Sequence, residues 1–278
     1  MSDAEPDYEE EHENERALRS GEEAALTPEE QEEALEEQLR VEKRRYFNVS
    51  RSLAASFLFV LPLLAIYELG ILTDISAAAV WVKAPISWLQ RHPVEILGAD
   101  TTVILNAVFI VLMVLAAWRL GRLGALRART FLGMLTESGL YALLVGPIAL
   151  FPLVGRWEFG PFTANFSHFW PKIVASCGAG VYEELLFRLL LMGIVVFLAK
   201  EVGGLRTFSA GLLALFVSGV VFSAAHFLSP AESPNYTAFM FRLVAGMIFG
   251  VIYLTRGFGI AAWTHALYDI YVLCFLAE

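Results

Sequence analysis

Residues 173–199 read IVASCGAGVYEELLFRLLLMGIVVFLA, an apolar run interrupted by charge only at Glu183, Glu184 and Arg188. A run of this length crosses about 30 Å of hydrocarbon as a helix. Open strand edges cannot sit in lipid, so a helix is the form it must take. Ionisable groups at that depth cost about 2.5–3.5 kcal/mol each on insertion scales, so three of them in one turn and a half point to a function.

The rest of the chain agrees with a membrane solvent. Of its 278 residues 57% are hydrophobic and 18% charged, and 21 are phenylalanine, a composition too apolar for an ordinary soluble domain. Further stretches of spanning length lie at about 52–72, 102–120, 135–154, 208–228, 237–255 and 258–276, which predicts an all-α polytopic protein of about seven spans. Residues 79–97, with Trp81, Lys83, Pro85, Trp88 and Arg91, read as an interfacial helix or hairpin, or as an eighth crossing. The loop from Trp157 to Trp170, rich in aromatic residues, reads as interfacial anchoring.

Charge is unevenly distributed. Residues 1–40 hold 16 acidic side chains against three arginines, leaving 13 acidic and 17 basic groups for everything that follows. The acidic segment, residues 1–45, is therefore expected to be a disordered or solvated-helix tail, with Thr27-Pro28-Glu29-Glu30 as a helix start, and residues 46–278 the membrane domain. Net acidity belongs to the tail and says nothing of the body's partners, and nothing points to nucleic acid. No basic segment followed by an apolar run opens the chain, so no cleavable signal peptide is expected.

Lys43, Arg44, Arg45 and Arg51 precede the first span. Arg119, Arg122, Arg127 and Arg129 follow the second, Lys200 and Arg206 the fourth, and Arg256 the sixth. By the positive-inside rule these ends and the tail face the cytoplasm, in what is expected to be the plasma membrane of a bacterium or archaeon. Cys177 and Cys274 sit in separate apolar runs with no paired spacing and read as buried thiols.

Two more intramembrane polar groups accompany Glu183-Glu184-Leu185-Leu186-Phe187-Arg188. One is His226 in Phe222-Ser223-Ala224-Ala225-His226, and the other is the pair His265 and Asp269 in His265-Ala266-Leu267-Tyr268-Asp269. On a helix Glu184 and Arg188 are one turn apart and can pair, while Glu183 points about 100° away toward another partner. His265 and Asp269 share a face. Two histidines with a Glu-Glu pair point to a site more than to packing.

These three motifs, EExxxR, FxxxH and HxxxD in successive membrane helices, resemble the CAAX-prenyl-protease and bacteriocin-processing (CPBP) family of intramembrane glutamic proteases. The resemblance covers about residues 170–276. It implies a helical bundle around a polar cavity in which a peptide bond is hydrolysed. Carried over by residue, it implies Glu183 as the base that activates water, with His226 holding that water. His265 and Asp269 would stabilise the oxyanion, with Glu184 and Arg188 supporting them. The implied substrate is a membrane protein or a lipidated or hydrophobic peptide: a prenylated CAAX-type tail, a bacteriocin-like precursor or a C-terminal sorting signal. Asp269 stands where the prenyl-protease branch has Asn, which weakens the prenylated substrate more than the protease.

No cofactor is needed by this reading. The alternative within catalysis is zinc, since a glutamate and two histidines could supply three ligands, although HExxH is absent. The alternative outside catalysis is a membrane scaffold, immunity protein or transporter that keeps the polar cluster, and Arg242 in the sixth span, for helix association or ligand binding.

Overall fold

The computed structural model describes residues 27–72, 127–155, 169–228 and 235–276, with scattered helical positions between 108 and 119. The chain forms two units, residues 1–48 and 49–278. Among the described residues all regular structure is helical: α1 (Pro28–Ser50), α2 (Leu53–Leu72), α3 (Ala128–Val154), α4 (Phe169–Glu184), α5 (Gly193–Glu201), α6 (Thr207–Ala225), α7 (Tyr236–Arg256) and α8 (Phe258–Tyr271). A π-helical segment, Leu185–Met192, joins α4 to α5 without a break.

The start of α1 is the capping box expected there. Thr27 donates from its backbone N and its Oγ1 to Glu30 Oε2, both at 2.8 Å, which satisfies a backbone donor the helix itself cannot. The helix continues to Ser50, about a turn past the expected end near residue 45. Leu35, Leu39 and Val41 lie exposed along it.

Among the described residues five helical stretches are long and apolar enough to cross a membrane: Leu53–Gly70, Ala128–Val154, Thr207–Leu228, Tyr236–Arg256 and Phe258–Phe275. They support a polytopic helical membrane protein. The run Phe169–Glu201 has the length as well, with Glu183, Glu184 and Arg188 near its middle. The expected crossing at 102–120 falls largely outside the described residues. The segment 79–97, the aromatic loop over residues 156–168 and the connection 229–234 fall wholly outside them.

Small residues set the packing that places the site. In lipid the helices have no hydrophobic drive to associate, so close backbone approach and hydrogen bonds hold them. A Cβ on Gly180 would lie 2.6 Å from the Ala262 carbonyl oxygen and 2.7 Å from the Ala266 Cβ, so α4 and α8 can cross this closely only with glycine there. That crossing sits one turn from Glu183 and Glu184 on α4 and beside His265 on α8. Around it Val60, Leu63 and Tyr67 of α2 pack with Val174, Cys177 and Val181 of α4 and with Phe258, Ala262 and Ala266 of α8. Cys177 and Cys274 are free thiols and buried.

The turn from α7 into α8 is equally constrained. Gly257 adopts φ +92°, a conformation L side chains rarely take, and its Cα hydrogens face the Arg51 backbone, 3.1 Å from where a Cβ would sit. Just before it, Arg256 is buried and forms a two-pronged pair with Glu137 of α3, Nε to Oε1 at 2.6 Å and Nη2 to Oε2 at 2.7 Å. Tyr141 donates to the same carboxylate at 3.0 Å. Glu137 lies nine residues into α3, so the α7–α8 turn is anchored well inside the first turns of that helix.

Candidate active site

Glu183 and Glu184 close α4, and Arg188 lies in the π segment that follows. The guanidinium of Arg188 is fully buried. Its Nη1 lies 3.0 Å from Glu184 Oε1, and its Nη2 donates to the Gly246 carbonyl of α7 at 3.0 Å. The expected one-turn pair is present. The Arg188 Cζ also stands 4.5 Å from the Phe222 ring centroid and 5.5 Å from that of Phe249, so aromatic faces complete the solvation of a cation that water cannot reach. At the π segment the Phe187 carbonyl accepts from Ser218 Oγ at 2.9 Å, which ties α6 to the point where the helix changes register. Such π insertions recur at functional sites.

From α8, His265 enters the same cluster. Its Nδ1 is 2.7 Å from Glu184 Oε1, the oxygen that also faces Arg188. With Glu184 as carboxylate, Nδ1 carries a proton and donates, and the ring is turned so that Nε2 faces away from Glu184. On that side Glu183 Oε2 lies at 3.9 Å and Asp269 Oδ2 at 3.6 Å. The Phe249 ring stacks on the imidazole, centroids 4.5 Å apart at 16°. Glu183 is buried, and its Oε2 has no hydrogen-bond partner among the described residues.

The structure thus brings Glu183, Glu184, Arg188, His265 and Asp269 together. His226 stands next to them and touches them through one ring: Phe222 lies 4.8 Å from His226 and 6.0 Å from His265, centroid to centroid, edge to face in both cases. The His226 Nδ1 is 2.8 Å from the Phe222 carbonyl, one turn back, so its Nε2 is the nitrogen left for a ligand. His226 and Asp269 are half-buried, whereas the two glutamates and Arg188 are closed off.

Two contributors have no signal in the motifs. Gly246 and Phe249 supply the carbonyl for Arg188 and the stacking face for His265, and they share a face of α7 with Arg242 at spacings of four and seven. That spacing marks a common face but names no role. A third polar contact lies beside the site: Tyr182, adjacent to Glu183, donates to Glu68 of α2 at 3.0 Å.

The zinc alternative can be tested against these positions. Among the described residues no three His, Cys, Asp or Glu side chains are placed to hold a metal ion. The residues as placed do not fit a zinc ion held by Glu183, His226 and His265.

Residues 165–271 match the family model described as Type II CAAX prenyl endopeptidase Rce1-like. This supports CPBP membership at the level of the superfamily. The matched part is less than half of the chain and contains all three motifs, from Glu183 to Asp269. No curated protein and no solved structure matches the chain. A buried Glu and His network inside a match to a protease family supports catalytic potential.

Proposed function

We propose that the protein is an intramembrane endopeptidase, a bundle of seven or eight spans in which Glu183 activates the water that hydrolyses a peptide bond of a membrane-associated substrate. The observation that carries this reading is the pairing of Glu183 Oε2 with His265 Nε2 across 3.9 Å, with the carboxylate buried and that oxygen without a hydrogen-bond partner among the described residues. The gap is too long for a direct hydrogen bond and within the span of one bridging water. A carboxylate oxygen kept at membrane depth without a direct donor is costly, and placement as a base is a reason to keep it.

In the proposed reaction Glu183 takes a proton from water as the oxygen attacks the scissile carbonyl carbon. The C–N bond then breaks, and Glu183 returns the proton to the leaving amine. His226, through Nε2, orients the water or the carbonyl beside Phe222. His265 in its imidazolium form can donate from Nε2 to the developing oxyanion, with Asp269 completing that side. Glu184 and Arg188 hold the imidazole in place. Each of these groups is a side chain of the protein, so the mechanism runs without a metal.

The substrate classes consistent with this chemistry are a prenylated CAAX-type tail, a bacteriocin-like precursor and a C-terminal sorting signal. The test is cleavage by the purified protein, with the substrate captured by crosslinking to the Glu183→Gln variant and identified by mass spectrometry. Wild type is expected to cleave the captured protein, and Glu183→Gln to do so at least about 100-fold more slowly, the lower bound for losing a general base. Equal rates from the two preparations would reject Glu183 as the base.

A further inference from the structure

Among the described residues of α6, α7 and α8, packing around the polar cluster is kept toward one end of the bundle and falls away toward the other. On α8 every residue from Phe258 to Ala266 except Trp263 is buried, and none from Leu267 to Leu273 is. On α6, Ser218, Gly219, Phe222 and Ser223 are buried, and Ala224 to Leu228 are not. On α7 no residue from Tyr236 to Val244 is buried, and burial begins at Ala245. Three helices therefore lose their packing at the same level, just past the site. Below it, Met192, Ala214 and Leu215 close the floor, with Leu215 against Gly250 so tightly that a Cβ there would meet it at 2.5 Å.

The floor lies toward the basic helix ends. Arg51 begins the approach to α2, Arg127 and Arg129 start α3, Lys200 ends α5, Arg206 precedes α6 and Arg256 ends α7. The Gly257–Arg51 contact sets the end of α7 beside the approach to α2. At the other end His226, Phe227, Arg242 and Asp269 line the opening, with the Arg242 Cζ 5.3 Å from the Phe227 ring centroid. Basic helix ends stay on the cytoplasmic side during insertion.

We infer that the site opens to the extracytoplasmic face, and that its substrates are membrane-anchored polypeptides whose scissile segment is presented from that face. This rests on the protease reading for its substrate class, and it disfavours a lipidated tail delivered from the cytoplasm. Water and the polar part of the substrate enter past His226 and Asp269, while the packed floor excludes the cytoplasmic side.

Sidedness can be read without any cleavage. Single cysteines are introduced into the full chain at Asp269, at Phe227 and, as controls, at Arg206 and Ala214. Cells producing each variant are treated with a membrane-impermeant methanethiosulfonate, intact or permeabilised. Native Cys177 and Cys274 are buried, so the parent protein sets the background. Asp269→Cys and Phe227→Cys are expected to label in intact cells, Arg206→Cys only after permeabilisation, and Ala214→Cys in neither. Phe227→Cys keeps the test informative if Asp269→Cys fails to accumulate. Labelling of the rim cysteines only after permeabilisation, or in neither condition, overturns the inference. Labelling from outside by a protein that cleaves nothing would sink the protease reading and the substrate class with it, and leave the sidedness standing.

Discussion

Glu184 Oε1 is shared: it lies 2.7 Å from His265 Nδ1 and 3.0 Å from Arg188 Nη1, so one carboxylate oxygen holds the imidazole of α8 and the guanidinium of the π segment at once. All three side chains are almost or completely buried. Removing the shared partner leaves a buried cation with the Gly246 carbonyl as its remaining hydrogen bond. Breaking a buried pair from one side costs about 3–5 kcal/mol.

Glu184→Ala is therefore expected to unfold at a markedly lower temperature in detergent and to accumulate poorly. Glu184→Gln keeps an oxygen for Nδ1 and should be milder. Thermal unfolding of the purified variants checks this, and a Glu184→Ala protein as stable as wild type would show that the shared oxygen holds nothing together.

The motif spacing made the Glu184–Arg188 pair legible, because residues four apart on a helix must face the same way. It also separated Glu183 from that pair. It could not show that His265 would complete the Glu184 site, since that contact joins residues 81 positions apart and depends on the Gly180 crossing. The π segment was equally hidden, because LLFRLLLM has no composition that distinguishes it from ordinary helix. Arg256 was visible as a basic charge after a span, but its pairing with Glu137 is a property of how α3 and α7 lie together. The apolar runs, in contrast, were readable because bilayer thickness sets their length.

Activity is expected to withstand strong chelators. The described side chains offer no three-ligand set, and the proposed base acts as a carboxylate. Purified enzyme dialysed against EDTA or 1,10-phenanthroline should keep its initial rate on the captured substrate. Loss of the rate together with a stoichiometric metal, and its return on adding zinc, would move the assignment to metal catalysis.

Glu137 and Arg256 give a prediction away from the chemistry. Their two short hydrogen bonds, with Tyr141 on the same carboxylate, anchor the α7–α8 turn. A hydrogen bond to a charged partner contributes about 1.5–3 kcal/mol. Glu137→Gln should lower the unfolding temperature while the turnover of the folded fraction stays near wild type. A drop in kcat with unchanged stability would instead mean that the turn sets the position of His265, eight residues further along α8.

Asp269 is where chemistry and position meet. Its Oδ2 lies 3.6 Å from His265 Nε2, too far for a direct hydrogen bond, and its side chain is the most exposed of the acids in the cluster, at 28%. A carboxylate facing a developing oxyanion would repel it, so Asp269 has two ways to help. It can remain protonated and donate, or it can remain charged and favour the imidazolium of His265, which then donates. Asp269→Asn separates them. The amide supplies a donor but no charge, so activity persists if donation is the role and falls substantially, with His265 still in place, if charge is the role. Asp269→Leu supplies neither and should be the weakest of the three in either case. The readout is kcat against KM on the captured substrate, because a residue that acts on the transition state moves kcat, whereas one that only lines the entrance moves KM. A KM effect alone from both variants would remove Asp269 from the reaction and leave it as part of the opening.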